Sequence, residues 1–158
     1  ASRLQPVATL RNPWSRTASR YLFALQAAKA GAKWTSAREL SFEAFLDTRH
    51  EDGNRPYFWH RAVRGWYPQL DYVVDAQGKI SADLLRQEHL SQDAKAYFKM
   101  DAGPRPRNVT RSNRSDWTSL YTPKTIAIVA DWYAADIDTF GFDFDTAAKR
   151  NIWADRQG

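Results

Sequence analysis

The stretch Leu10–Tyr21, LRNPWSRTASRY, places three arginines, two serines and a proline within twelve residues. The apolar segment Gln5–Leu10 that leads into it predicts a short buried strand. Asn12 then suits a helix N-cap and Pro13 the first helical position, so a helix should follow and end near Gly31. The stretch therefore predicts a strand that passes directly into the N-terminus of a helix.

The residue types of this stretch suit the binding of an anion. A helix that follows a strand at once directs free backbone N–H groups at whatever lies there. Arg11 can contact an anion with its planar guanidinium, and Ser19 can donate a hydroxyl hydrogen bond. Positions 12, 15, 16 and 19 fall on one helical face. Spacing alone favours an ordinary solvated helix start over a phosphate site, and both alternatives stay open.

The length and composition of the chain indicate a globular domain and the kind of partner it would bind. The chain has 158 residues, which suits one domain with its own hydrophobic core. It is 43% hydrophobic and 26% charged, as globular chains are, and its seven tryptophans favour a well-packed core or a surface for flat ligands. The net charge of +5 and the pI near 9.6 favour acidic partners such as nucleotides.

The chain contains no cysteine, which excludes disulfides, thiolate catalysis and zinc–thiolate sites. Such a composition fits a reducing compartment better than a secretory one. The sequence has no apolar run close to the roughly 20 residues that span a bilayer, and no signal peptide is visible. We therefore predict a cytoplasmic location.

Several further segments predict local structure. A second helix should begin at a Ser41 cap, and Leu70–Ile80 predicts two strands joined by a turn at Asp75–Lys79. Asp83–Leu90 allows a strand or a helix, with the strand favoured. Ser91–Met100 predicts a short helix capped by Ser91.

The last third of the chain contains a long irregular stretch and a helix. Asp101–Leu120 is predicted to be a loop, and loops of this length in compact domains are often functional. It carries Arg105, Arg107, Arg111 and Arg114. Thr122 and Gly141 suit the two ends of one helix, whose apolar side chains follow the helical period. Its aspartates are predicted to form a solvated face and not a metal site: Asp131, Asp136 and Asp138.

Three segments together resemble the sulfotransferases that use 3′-phosphoadenosine 5′-phosphosulfate (PAPS), most closely the carbohydrate-type family. The family's 3′-phosphate segment is a strand followed by Arg-x-Pro-x-x-Arg-x-x-Ser-x-Tyr, matched here by Arg11, Pro13, Arg16, Ser19 and Tyr21. WYPQ and the later Glu88-x-Leu90 match a second segment, and YTP followed by DIDTFGF matches the closing one, with Phe142 in place of tyrosine. The likeness covers about residues 6 to 144.

The resemblance implies a three-layer α/β, P-loop-like sulfotransferase fold, in which helices flank a small parallel sheet, over a single domain of residues 1–158. It implies transfer of a sulfuryl group from PAPS to a hydroxyl or amine acceptor, with a carbohydrate as the first candidate, and without a metal. By the same resemblance, Arg11 and Ser19 hold the 3′-phosphate of the nucleotide. Arg111 or Arg114 would add a further phosphate contact, and the loop arginines are equally plausible as solvated charges.

The sequence also departs from the family pattern. No glycine-rich, lysine-containing loop follows a strand, so the 5′-phosphosulfate half of the site is absent from these residues and the fold should be N-terminally incomplete. Gly65 stands where the family often has histidine. None of the histidines matches a general base, His60 being the best positioned, and Glu88 is predicted to be a structural carboxylate beside a helix N-terminus or an arginine. The catalytic residues therefore stay unknown.

Two other functions remain open from the sequence. A sulfotransferase-like domain without the donor loop could serve as an inactive structural or interaction module of a larger, even viral, assembly. A nucleic-acid-binding domain is less favoured, because the positive charge is spread along the chain. An incomplete sheet would expose an open strand edge and apolar surface, so we expect a partner chain or an oligomer to cover it.

Overall fold

The computed structural model describes residues 4–31, 37–51, 65–105 and 114–156. These residues fall into two compact units. The first contains those within 1–13, 68–108 and 132–158, and the second those within 14–67 and 109–131. Five α-helices and a two-stranded parallel sheet are present in the described ranges, so the prediction of a mixed α/β fold with a small parallel sheet is confirmed.

The elements are numbered in chain order. The strands are β1 (Val7–Leu10) and β2 (Asp83–Arg86), and the α-helices are α1 (Pro13–Lys29), α2 (Phe42–Glu51), α3 (Leu90–Phe98), α4 (Pro123–Trp132) and α5 (Ala134–Phe140). Short 3₁₀ helices lie at Ala37–Glu39, Leu70–Tyr72, Gln87–His89, Arg114–Leu120 and Trp153–Arg156. No helix within these ranges is long and apolar enough to cross a membrane.

The sheet lies in the first unit. Strand β1 runs parallel to β2, with Val7 opposite Asp83 and Leu10 opposite Arg86. Leu10 and both leucines of β2 are buried, because these side chains form the core of this unit. The strands predicted at Gln5–Leu10 and within Asp83–Leu90 are therefore confirmed.

The strand pair predicted within Leu70–Ile80 is wrong. Leu70–Tyr72 forms a 3₁₀ turn, and Val74 and Ile80 share only an isolated antiparallel bridge. The start of the segment is unavailable for a strand because the Leu70 amide donates to a carboxylate of a distant helix, Asp136. The predicted turn is present, since Asp75 Oδ1 accepts hydrogen bonds from the amides of two later turn residues.

Helices α1 and α2 form as predicted. Asn12 precedes the first helical residue, Pro13, and α1 ends just before Gly31, whose φ of +86° suits glycine. Ser41 caps α2, since its Oγ accepts a hydrogen bond of 3.1 Å from the Ala44 amide. In the second unit, the Tyr21 ring of α1 packs on two phenylalanine rings of α2 at centroid distances of 5.3 and 5.1 Å.

The long helix predicted from Thr122 to Gly141 is interrupted. Thr122 caps its start, because its Oγ1 accepts from the Thr125 amide. The backbone leaves helical geometry at Tyr133, where φ is −115° and ψ is 25°. The interruption lies where the chain passes from the second unit to the first, so the two halves pack in different cores. Gly141 then ends α5 in the left-handed region, as predicted.

Two other predicted boundaries are wrong. Ser91 does not cap α3, because the 3₁₀ turn Gln87–His89 runs directly into a helix that begins at Leu90. Within the predicted loop Asp101–Leu120, the final residues Arg114–Leu120 form a 3₁₀ helix. Residues 106–113, which include Arg111, lie outside the described part of the chain.

We predict that Lys99→Gly stabilises the protein. Lys99 ends α3 with φ of +53°, a conformation in which a β-carbon is strained and glycine is not. The free energy of unfolding in urea should rise by about 0.5 kcal/mol. Lys95→Gly, which removes the same charge inside α3, should lower it by about 1 kcal/mol. A destabilised Lys99→Gly variant would contradict the strain argument.

Candidate functional site

The carboxyl ends of the two strands lie at one edge of the sheet. Arg11 follows β1 and Glu88 follows β2 shortly after its last residue. Because the strands are parallel, both residues belong to the same edge, which is where open α/β sheets bind ligands. Arg11 is half-buried there.

The backbone of Arg11 is held by the side chain of Gln69. The Arg11 amide donates to Gln69 Oε1 at 2.9 Å, and Gln69 Nε2 donates to the Arg11 carbonyl at 2.8 Å. A carboxamide thus satisfies both peptide groups of the residue, as a neighbouring strand would. The main chain at Arg11 is fixed on this side.

Gln69 is held in turn by Asp136 of α5, which is fully buried. One carboxylate oxygen of Asp136 accepts from the Gln69 amide at 2.8 Å and from Gln69 Nε2 at 3.3 Å. The other accepts from the Leu70 amide at 2.9 Å. The predicted solvated position of Asp136 is therefore wrong, whereas Asp131 and Asp138 are exposed as predicted.

Helical spacing explains the burial of Asp136. It shares a helix face with Phe140, four residues later, and that side chain is buried in the core of the first unit. The sequence did contain this signal. An aspartate on an apolar face must be hydrogen-bonded, because burying an unpaired carboxylate is very costly.

Asn12 fixes the other side of the turn between β1 and α1. Its amide donates to Glu88 Oε1 at 2.8 Å. Its Nδ2 donates to the carbonyls of Asp143 and Thr146 at 2.8 and 2.9 Å, and the residue is 1% exposed. Glu88 is therefore a carboxylate at the N-terminus of α1, as the sequence predicts.

Three further residues of the resemblance lie on α1 in the second unit: Arg16, Ser19 and Tyr21. Ser19 is half-buried, two turns into the helix. Arg16 donates to the Tyr67 carbonyl at 2.7 Å, and Tyr21 donates to the Leu40 carbonyl at 2.9 Å. Burial raises the pKa of the Tyr21 hydroxyl. Arg16 and Tyr21 thus tie the second unit together.

None of the described side chains forms an evident general base. His89 is exposed at the start of α3, while the side chain of His50 and all of His60 lie outside the described residues. Gly65 lies against Arg20, whose guanidinium sits 4.4 Å from the centre of the buried Trp66 ring. A side chain at position 65 would displace that guanidinium. No group of metal-binding side chains occurs in the ranges that the structure describes.

At the carboxyl end of β2, Arg86 forms a pair with the buried Asp93 of α3. Its guanidinium makes hydrogen bonds of 2.9 and 2.6 Å to the two carboxylate oxygens, and the Arg86 amide donates a third at 2.8 Å. Burial raises the pKa of Asp93, but the bonds and charge of Arg86 outweigh it and leave the pKa below its usual value. The pair is structural and fixes β2 to α3.

We expect Asp136→Asn to destabilise the protein. An asparagine amide group would face one of the N–H donors that the carboxylate now accepts, leaving it buried and unpaired. The free energy of unfolding should fall by about 2 kcal/mol in urea titrations. Asp138→Asn, on the exposed face of the same helix, is the matched control and should change it by less than about 0.5 kcal/mol. Equal effects of the two substitutions would contradict the hydrogen-bonded role of Asp136.

Asp93→Asn should remove a pH-dependent part of the stability. Because the folded pKa of Asp93 is lowered, its contribution is present above its unfolded pKa of about 3.9 and is lost as the pH falls through the folded pKa. At pH 7 the substitution should cost about 3 kcal/mol in urea unfolding. The gap between wild type and variant should narrow below about pH 4. A gap that is constant with pH would refute this account.

Three comparisons with known proteins bear on these residues. No family model matches the chain, no curated protein matches it, and no solved structure matches it. The chemistry of Arg11 and Ser19, and the hydrogen bonds that fix Arg11, are therefore the basis for a functional proposal.

Proposed function

We propose that the chain is the nucleotide-binding part of a PAPS-dependent sulfotransferase of the carbohydrate type. The observation that carries the proposal is the fixed turn at Arg11, where a parallel strand passes directly into α1. We also propose that the chain has the three-layer, P-loop-like fold of these enzymes. The acceptor is a hydroxyl or an amine, and a carbohydrate hydroxyl is the first candidate.

The proposed chemistry assigns a role to a few side chains. Arg11 contacts the 3′-phosphate through its planar guanidinium, Ser19 donates a hydroxyl hydrogen bond to it, and Arg111 adds a further contact. In the reaction the acceptor oxygen or nitrogen bonds to sulfur and loses its proton to the solvent. The bond from sulfur to the 5′-phosphate oxygen breaks, and adenosine 3′,5′-bisphosphate leaves. Cationic groups stabilise the charge that develops on the leaving phosphate.

The first amide at the start of α1 is already in use. The Asn12 N–H donates to the Glu88 carboxylate, which brings a negative charge to the end of the helix that attracts anions. The proposal therefore places the phosphate on the side chains of Arg11 and Ser19 and not on this amide. Affinity for the 3′-phosphate should then depend strongly on both side chains.

Calorimetric titration with adenosine 3′,5′-bisphosphate tests the proposal. Wild type should bind, and Arg11→Ala and Ser19→Ala should each weaken binding about tenfold, because each removes a hydrogen bond to a charged group. Lys29→Ala removes an exposed cation at the other end of α1 and should leave the affinity unchanged. Failure of folded wild type to bind, or equal losses with Lys29→Ala, would overturn the proposal.

An inactive interaction module is the second candidate function. The observation that favours it is apolar surface at the start of the first unit, where Leu4 is 90% exposed and Val7 of β1 is 39% exposed. Exposed apolar groups beside a strand edge suit contact with another chain. A folded chain that binds no nucleotide and associates in solution would favour this candidate over the enzyme.

A further inference from the structure

We infer that Gln69, fixed by Asp136, is a positioning residue for Arg11 and sets the affinity for the 3′-phosphate without contacting it. The inference rests on the proposed function, since it concerns the same phosphate. It adds two residues to the site, neither of which the resemblance assigns to the nucleotide.

The backbone groups of β1 alternate in direction between the two edges of the strand. The Asp83 amide donates to the Pro6 carbonyl, and β1 pairs with β2 in parallel register. In a parallel ladder the peptide groups of successive residues face opposite edges, so those of Arg11 face away from β2. The Gln69 carboxamide forms its two hydrogen bonds with Arg11 on that side, in the place of a neighbouring strand.

The contact with Asp136 determines the orientation of the Gln69 carboxamide. A carboxylate only accepts hydrogen bonds, so the amide atom beside Asp136 must be the NH₂ group and not the oxygen. This places Oε1 at the Arg11 amide, and Nε2 reaches both the Arg11 carbonyl and Asp136. Because Asp136 also binds the Gln69 backbone amide, the glutamine is fixed at both its main chain and its side chain.

These hydrogen bonds affect the affinity for the 3′-phosphate because they order the backbone of Arg11. An anion binds more tightly to an arginine whose main chain is already ordered, because ordering the main chain during binding lowers the affinity. Fixing the backbone of one residue corresponds to about a tenfold change in a binding constant. Gln69 removes that cost by ordering Arg11 in the ligand-free protein.

A double-mutant cycle tests the inference by calorimetry. The four proteins are wild type, Gln69→Ala, Arg11→Ala and the double variant, each titrated with adenosine 3′,5′-bisphosphate and with adenosine 5′-phosphate. Gln69→Ala should weaken the bisphosphate about tenfold and leave the monophosphate unchanged. It should have no further effect once Arg11 is alanine, because it acts through that residue.

Two further variants separate positioning from general destabilisation. Asp93→Asn perturbs the other strand of the same sheet and should lower stability while leaving the bisphosphate affinity unchanged. If Gln69→Ala does not fold, Asp136→Asn takes its place in the cycle and should show the same dependence on Arg11.

The outcomes distinguish this inference from the proposed function. Binding by wild type with an unchanged Gln69→Ala affinity overturns the inference alone. Equal losses for both nucleotides, or a loss that adds to that of Arg11→Ala, also overturn it alone. No binding of either nucleotide by folded wild type overturns the proposed function and the inference together.

Discussion

The buried carboxylate of Asp136 is the constraint on which the turn after β1 depends. A buried charge is tolerated only when hydrogen bonds replace its lost hydration, and two backbone amides and one side-chain NH₂ supply them here. These donors come from Gln69 and Leu70. The same bonds that satisfy the charge therefore place Gln69 against Arg11. A residue late in the chain thus determines the geometry of one near its beginning.

The turn is held from its second side by Asn12, and this has a chemical consequence. The buried side-chain NH₂ of Asn12 donates to carbonyls of the segment after α5, while its backbone N–H donates to Glu88. A rigid turn whose first amide is bonded to a carboxylate favours recognition by side chains. The proposed site therefore differs from loops that bind phosphate mainly through main-chain amides.

Local signals in the sequence predicted much of the fold. Three predicted features depend on neighbouring residues, so a short stretch of sequence contains their causes. They are the strand that ends at Leu10, the two ends of α1 and the Ser41 cap. The 3₁₀ turn at Leu70–Tyr72 depends on Asp136, a partner far away in sequence, so no short stretch of sequence contains its cause. The break at Tyr133 coincides with the boundary between the two units, which a short stretch does not reveal either. For the site, Arg11 and Glu88 could be selected from the sequence. The contact of Gln69 with Arg11 could not, because it joins residues 58 positions apart.

The resemblance contains less functional information than its five matched positions suggest. Pro13 begins a helix, Arg16 binds a main-chain carbonyl and Tyr21 does the same from a buried position, so folding alone accounts for these three. A relative that binds no nucleotide would need them equally. Only Arg11 and Ser19 are left to distinguish a phosphate site from a shared fold. Recognition of a nucleotide would therefore depend on those two side chains, one of which is already ordered by Gln69.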